Sequence, residues 1–308
     1  MEIFLAKPRG FCAGVKRAIA VVNQALKKYG APVYVLHEIV HNTHVVNGLA
    51  EKGAIFVETL EDIPRSSVTI FSAHGVARKV EEKAEALGLH TIDATCPLVS
   101  RVHRRVARLN KIGYDVLIIG HKHHPEVEGT YGRALGKVHV LSNPEDIRTL
   151  KIADSCQVGY VTQTTLSMDD AEELIGLLKD KYPKIDMPDR TDICYATQNR
   201  QTAVRDLAPD MDLFLVVGSK NSSNSNRLRE VAENQGIEAH LIDNAEEIDM
   251  SWLRDDQKIG ITAGASAPEI LVEEVVARLQ DHEAGIIHEM DGTEEFTKFG
   301  LSVLPDFD

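Results

Sequence analysis

Short apolar runs alternate with helical periodicity along nearly the whole chain. Six runs read as buried strands: VYVL (33–36), VTIF (68–71), VLII (116–119), VGYV (158–161), LFLVV (213–217) and IGIT (259–262). Each gives way to small and polar residues and then to a helix-like segment, as at 79–88, 169–181 and 268–280. Three further helices show in their spacing. Val15, Ile19, Val22 and Leu26 form one face before Gly30, and Val99, Val102, Val106 and Leu109 form another between Pro97 and Gly113. Ala196, Ala203, Val204 and Leu207 make a weaker face before Pro209. Strands alternating with helices at this spacing require parallel sheets with crossover connections. In such sheets ligands bind beyond the carboxyl ends of the strands, where all the polar loops of this chain fall.

The pattern repeats about every third of the chain. Cys12, Cys96 and Cys194 each close a strand-like run and open a helix-like one. A first polar loop follows at His41, His124 and Ser222. A glycine-led strand comes next at Gly53, Gly136 and Gly236, and a second polar loop at His74, Thr164 and Ser266. This period is too long for a solenoid, so it predicts an α/β fold of three similar units with mainly parallel sheets. The units are expected at 14–96, at 97–193, and at 1–13 with 194–281; residues 282–308 form a C-terminal tail packed over the surface. Closure with pseudo-threefold symmetry would bring three thiols and six polar loops to one central site, as a metal site requires.

Composition narrows the function classes. The 308 residues are 43% hydrophobic and 26% charged, ordinary for a soluble α/β protein, with no apolar run of membrane-spanning length. The N-terminus carries no basic leader, which favours a cytoplasmic location. A net charge of −13, with no basic face evident, argues against nucleic acid and serves either solubility or an electron-transfer partner. The four cysteines lack the spacing of a disulfide framework.

A thiol at a helix N-terminus feels the positive end of the peptide dipoles and ionises more readily. Three such thiolates suit zinc or an iron–sulfur cluster. Zinc would need one more protein ligand and has no C-x₂₋₄-C pairing here, whereas a 4Fe–4S cluster on three cysteines keeps one iron open. Cys156 is out of register and reads as a plain core or loop thiol. The loop GHKHHPE (120–126) places Glu126 beside His124, where a dry setting would raise the carboxyl pKa and allow proton donation. The loop VGSKNSSNSN (217–226), before a helix expected near Arg227, and the loop TAGASAP (262–268), before one starting at Pro268, offer neutral donors for an anion.

Together the stretches PRGFCAGVKRA (8–18), HEIVHN (37–42), FSAHGV (71–76), DATCPLV (93–99), GHKHHPEVEGT (120–130), VTQTTLS (161–167), DICYATQNRQ (192–201), VVGSKNSSNSNRL (216–228) and TAGASAPE (262–269) closely resemble the 4-hydroxy-3-methylbut-2-enyl diphosphate reductase family. That family makes the last step of the non-mevalonate isoprenoid pathway. The resemblance implies three α/β units around one central 4Fe–4S cluster held by Cys12, Cys96 and Cys194. It implies that His41, His74, His124, Ser222, Ser223, Asn224 and Ser266 hold the substrate diphosphate. Thr164 would lie near the substrate hydroxyl, Glu126 would supply protons, and His124 would also belong to the catalytic group. The expected reaction removes the hydroxyl as water and gives isopentenyl and dimethylallyl diphosphate, with electrons from a donor such as ferredoxin or flavodoxin. Imidazoles gain charge as pH falls, so substrate binding is expected to weaken above neutrality. The rival of another class is a zinc hydrolase or lyase using the thiols with His124 or His41. An anion-binding protein with incidental thiols is a third reading. Quinolinate synthase shares three units and three cysteines, but the loop motifs favour the diphosphate reductase.

Overall fold

The structure is a computed structural model that describes all residues except Asp154, Ser302 and Asp308. In chain order the first third contains β1 (Glu2–Leu5), α1 (Ala13–Tyr29), β2 (Val33–Leu36), α2 (Thr43–Ala50), β3 (Ala54–Val57), β4 (Val68–Phe71), α3 (Arg78–Ala86) and β5 (His90–Asp93). The middle contains α4 (Pro97–Lys111), β6 (Asp115–Ile119), α5 (Pro125–Tyr131), β7 (Val138–Leu141), α6 (Pro144–Thr149), β8 (Val158–Thr162) and α7 (Met168–Lys181). The last third contains α8 (Tyr195–Leu207), β9 (Leu213–Val217), α9 (Ser223–Asn234), β10 (Glu238–Ile242), β11 (Lys258–Ala263), α10 (Glu269–His282) and β12 (Ile286–Glu289). All six apolar runs read as strands are strands.

Three parallel sheets result, ordered β10-β9-β11-β1-β12, β3-β2-β4-β5 and β7-β6-β8. In the first two sheets the strand leading to a cysteine, β1 or β5, is the fourth in line. In the third, only a bridge between Gly159 and Asp186 stands in that place, so the run before Cys194 is not a strand. Chain contacts divide the protein into two compact units. The first comprises Met1–Lys16, Val40–Gly48 and Tyr195–Lys298, and the second comprises Arg17–Ile39, Leu49–Cys194 and Phe299–Asp308.

Parallel strands are covered on both faces, which explains their unbroken apolar sequences. In the first unit Leu213, Leu215 and Val217 of β9 face α10 residues Leu271, Val275 and Leu279. The alternate residues Phe214 and Val216 pack with Val204 of α8 and with Leu228 and Val231 of α9. Gly260 is needed beside Phe214, whose ring would stand 2.5 Å from any added Cβ. The second unit repeats the arrangement around β6. Leu117 and Ile119 face α7, and Val116 and Ile118 face Val102, Val106 and Leu109 of α4.

Two further expectations need correction. The helix expected near Arg227 begins at Ser223, because Ser222 accepts a hydrogen bond from the Ser225 backbone N–H and caps it. The segment after 282 is more than a surface tail. Ile286–Glu289 forms an edge strand paired with β1, in a stretch whose exposed residues give no buried-strand signal. No helix among the described residues is long and apolar enough to cross a membrane.

Candidate functional site

Every predicted site residue except Cys194, which follows α7 with no strand between, lies in a loop at the carboxyl end of a strand or in the first turn of the helix that follows. Each of the three in-register cysteines sits one residue before a helix, α1, α4 or α8, and is half-buried and in no disulfide. The backbone N–H groups add a regularity that spacing alone does not reveal. Cys12 N donates to Ala265 O at 3.1 Å, Cys96 N to Ala73 O at 3.0 Å, and Cys194 N to Thr164 O at 3.1 Å. Each cysteine is therefore tied to the loop carrying Ser266, His74 or Thr164. Cys12 Sγ also accepts from the Val15 N–H at 3.4 Å, so the sulfur caps α1.

In the first unit these loops form a cradle of neutral donors. Ser266 Oγ donates to His41 O at 2.8 Å, and Thr43 N donates to Ser219 Oγ at 3.1 Å, which ties 41–43 to the loops after β9 and β11. Ser222 and Asn224 are buried, and Ser225 Oγ donates back to Ser222 Oγ. Gly264 permits this closeness, since an added Cβ would stand 2.0 Å from Ser225 Oγ. Among the described residues Asn224 is 4% exposed with no partner for either Nδ2 or Oδ1. A buried amide left wholly unsatisfied is uncommon and costs free energy unless a ligand completes it.

The first unit also holds a brace for Cys12, built from residues of the stretches 8–18 and 192–201 to which no local pattern assigns a role. Gly10, at φ +67°, turns the chain two residues before the thiol. Its carbonyl accepts from Arg200 Nε at 3.1 Å and from Nη2 at 2.7 Å. Arg200 is fully buried and paired with Glu295 at 2.8 Å, and Asn199 donates to the same carboxylate. The helix-facing Tyr195 hydroxyl accepts from Ala13 N.

In the second unit Glu126 lies in the first turn of α5 and is 2% exposed. It accepts from Thr164 N at 2.6 Å and from Thr164 Oγ1 at 2.8 Å. Burial is the largest influence on its carboxyl, which is pushed up to about 7; the Thr164 bonds oppose the rise and the charge of Asp192 adds to it. Asp192 is itself raised by burial, against its bond from Thr162 N and the nearby Arg101 and Arg105. His124 caps α5, its Nδ1 accepting from Glu126 N at 3.2 Å, so the ring proton sits on Nε2. His74 lies edge-on to His124 with centroids 6.0 Å apart, and its Nδ1 is 3.2 Å from Ser72 Oγ. Gly75 next to it holds φ +74° and lets the buried His103 approach, whose Cε1 would be 2.6 Å from an added Cβ.

The predicted residues thus divide between the two units. Cys12, His41, Ser222, Ser223, Asn224 and Ser266 belong to the first; His74, Cys96, His124, Glu126, Thr164 and Cys194 belong to the second. Among the described residues no three His, Cys, Asp or Glu side chains form a group around one metal ion. A cubane cluster sets a different demand, because each thiolate binds its own iron and the sulfurs need not meet at one point. Half-buried thiols at the starts of three helices suit that demand.

A profile of the family described as LytB protein matches residues 3–280. The 4-hydroxy-3-methylbut-2-enyl diphosphate reductase of Aromatoleum aromaticum is 54% identical over 300 residues, covering 97% of this chain and 96% of the relative. That of Bordetella bronchiseptica is 55% identical, covering 97% and 92%. Among solved structures, the E-1-hydroxy-2-methyl-but-2-enyl-4-diphosphate reductase of Plasmodium falciparum superposes with a TM-score of 0.95 at 40% identity, covering 97% of this chain and 95% of that one. A second, described as the terminal enzyme of the non-mevalonate pathway, gives 0.65 at 37% identity, covering 91% and 100%.

Proposed function

Because this chain belongs to the LytB protein family, we propose that it reduces 4-hydroxy-3-methylbut-2-enyl diphosphate to isopentenyl and dimethylallyl diphosphate in the cytoplasm. The single observation that carries the chemistry is Glu126, a buried carboxyl with a pKa near 7 held by two hydrogen bonds from Thr164. In this reading the three sheets with their cysteines are three copies of one α/β unit, and Cys12, Cys96 and Cys194 hold one 4Fe–4S cluster. When bound, that cluster supplies electrons, received from a ferredoxin or flavodoxin, and a Lewis-acidic iron without a protein ligand.

The protein's own residues do the rest. His41, His74, His124, Ser222, Ser223, Asn224 and Ser266 bind the diphosphate. His124 contributes a neutral Nε2–H, because its other nitrogen is occupied by the Glu126 N–H. The unsatisfied Asn224 Nδ2 donates to an oxygen of the anion. Hydroxide is a poor leaving group, so the C–O bond breaks only when its oxygen receives a proton. Glu126 carries that proton at neutral pH, and Thr164, fixed against both carboxylate oxygens, orients the hydroxyl relative to it. Diphosphate binding at the far end of the substrate holds the reacting carbon in place.

Iron and acid-labile sulfide in anaerobically purified protein test the reading, with a spectrum taken before and after adding the hydroxylated diphosphate. About four irons per chain and a ligand-induced shift are expected for a cubane cluster. Zinc would favour the hydrolase, and the absence of any metal would favour the anion-binding protein. Cys156→Ser should keep full iron content, since Cys156 lies in the loop before β8 and not at the start of a helix; loss of iron there would refute the three-cysteine assignment.

Turnover should also follow the Glu126 carboxyl. Protonated acid is the working form, so kcat should hold below about pH 7 and fall about tenfold per unit well above it. A kcat that stays level to pH 9 would remove Glu126 as the donor.

A further inference from the structure

Although the chain carries a net charge of −13, its second unit contains a groove of ≈ 470 Å³ lined by Arg101, Arg104, Arg105, Arg108 and Arg190. No basic face shows in the linear sequence, because the four α4 arginines are interleaved with Val102, His103 and Val106. At 3.6 residues per turn they gather into one stripe. Two arginines are committed to structure. Arg101 donates to Thr191 O and lies 3.6 Å from Asp192, and Arg105 holds Tyr160 O and Asp186. Arg104, Arg108 and Arg190 are exposed. The acidic residues lining the groove are Asp189, at its rim, and Asp192, which is buried and bonded to Thr162 N. The groove therefore presents positive charge on an otherwise acidic protein.

Its two walls lead to two of the proposed cluster ligands. One wall is α4, which starts directly after Cys96, so Arg101 lies about 8 Å further along the helix axis at 1.5 Å per residue. The other is the segment 188–192, which runs into Cys194.

We propose that this arginine groove is the docking surface for a small acidic electron-carrier protein, of the flavodoxin or ferredoxin kind. The inference rests on the reductase reading above. That reaction takes two electrons and two protons, breaks the C–O bond, forms a C–H bond and releases water, while two one-electron equivalents of carrier are oxidised. Opposite charge steers the encounter and fixes its orientation, and the carrier's negative face would otherwise be repelled by this protein's overall charge. Nucleic acid fits less well, since the stripe is short and the surrounding surface would repel a longer polyanion.

The test uses the holoenzyme and two reductants, reduced flavodoxin and dithionite-reduced methyl viologen. Arg104→Glu and Arg108→Glu should each raise the KM for flavodoxin at least tenfold at low ionic strength, with the viologen-driven rate unchanged. The difference should shrink at 0.5 M salt, as screening predicts. Arg190→Glu, on the other wall, should act in the same direction. Lys79→Glu, an equal charge change on α3, should leave both rates alone. An unaltered flavodoxin KM in all three arginine variants, or an equal effect of Lys79→Glu, would overturn the docking surface. A wild-type protein inactive with viologen and the hydroxylated diphosphate would instead overturn the reductase reading, and the docking proposal with it.

Discussion

Glu126→Gln is expected to lower kcat by about 10²- to 10⁴-fold, the usual contribution of a positioned general acid, while leaving affinity for the diphosphate close to wild type. The substitution keeps the shape of the side chain but removes the transferable proton. The anion-binding residues do not depend on that proton, so the loss should appear in kcat and not in ligand binding. Single-turnover rates alongside direct binding measure the split. A near-normal kcat would exclude Glu126 as proton donor, and a matched loss of binding would make it a structural residue.

A stability measurement on the same variant separates the two roles further. The folded-state pKa of Glu126, about 7, lies above the ordinary value of 4.5. Below pH 4.5 folded and unfolded chains both carry the proton, and the favourable contribution is fully present. As pH rises the unfolded chain releases its proton first, so stability declines until the folded carboxyl ionises near 7. The loss over that window is on the order of 3 kcal/mol. Gln does not titrate, so Glu126→Gln should lose this slope and be at least as stable as wild type at pH 8. An inactive variant with undiminished stability would show that the carboxyl serves the reaction.

The second large effect is expected at Arg200. Its guanidinium is fully buried and bridges the Gly10 carbonyl, the Ala196 carbonyl and Glu295. Arg200→Ala would leave a carboxylate, itself largely shielded, and a backbone carbonyl without their partner. Removing one member of a buried ion pair typically costs about 3–5 kcal/mol. Urea unfolding should show that loss. Iron content measured well below the transition should fall too, because the turn at Gly10 sets where the Cys12 thiol stands. Glu295→Gln keeps a hydrogen-bonding side chain and should cost less. Wild-type stability in Arg200→Ala would mean that the brace is redundant with the sheet bond from Gly10 N to Ala263 O.

Much of this arrangement follows from local sequence. The runs VYVL, VTIF and LFLVV are strands at their predicted limits, since a parallel strand buried on both faces leaves an uninterrupted apolar mark. Gly30 and Gly113 end α1 and α4 because left-handed turns favour glycine, and both hold positive φ. The thiols fall at helix starts, and the raised Glu126 pKa was foreseeable from a carboxylic acid in a dry loop. Seryl and asparaginyl residues gave a weaker signal. The SSNSN run reads equally as loop or as helix cap, and only the Ser222 bond to Ser225 N decides between them.

Sequence by itself therefore determined most of the elements, their parallel pairing and the chemical inventory, because periodicity and turn residues act over a few positions. Tertiary structure decided what depends on residues far apart in the chain. The bonds from Cys12, Cys96 and Cys194 to the second polar loops arise only when strands are laid side by side. The brace from Arg200 to Gly10 spans 190 positions and that to Glu295 spans 95, distances over which no local pattern can specify a partner. The edge strand at 286–289 exists because β1 offers an unpaired edge, not because its own residues demand burial. The arginine groove likewise needed both α4 and the 188–192 segment in place, since charge becomes a surface only after packing has turned one face of a helix outward.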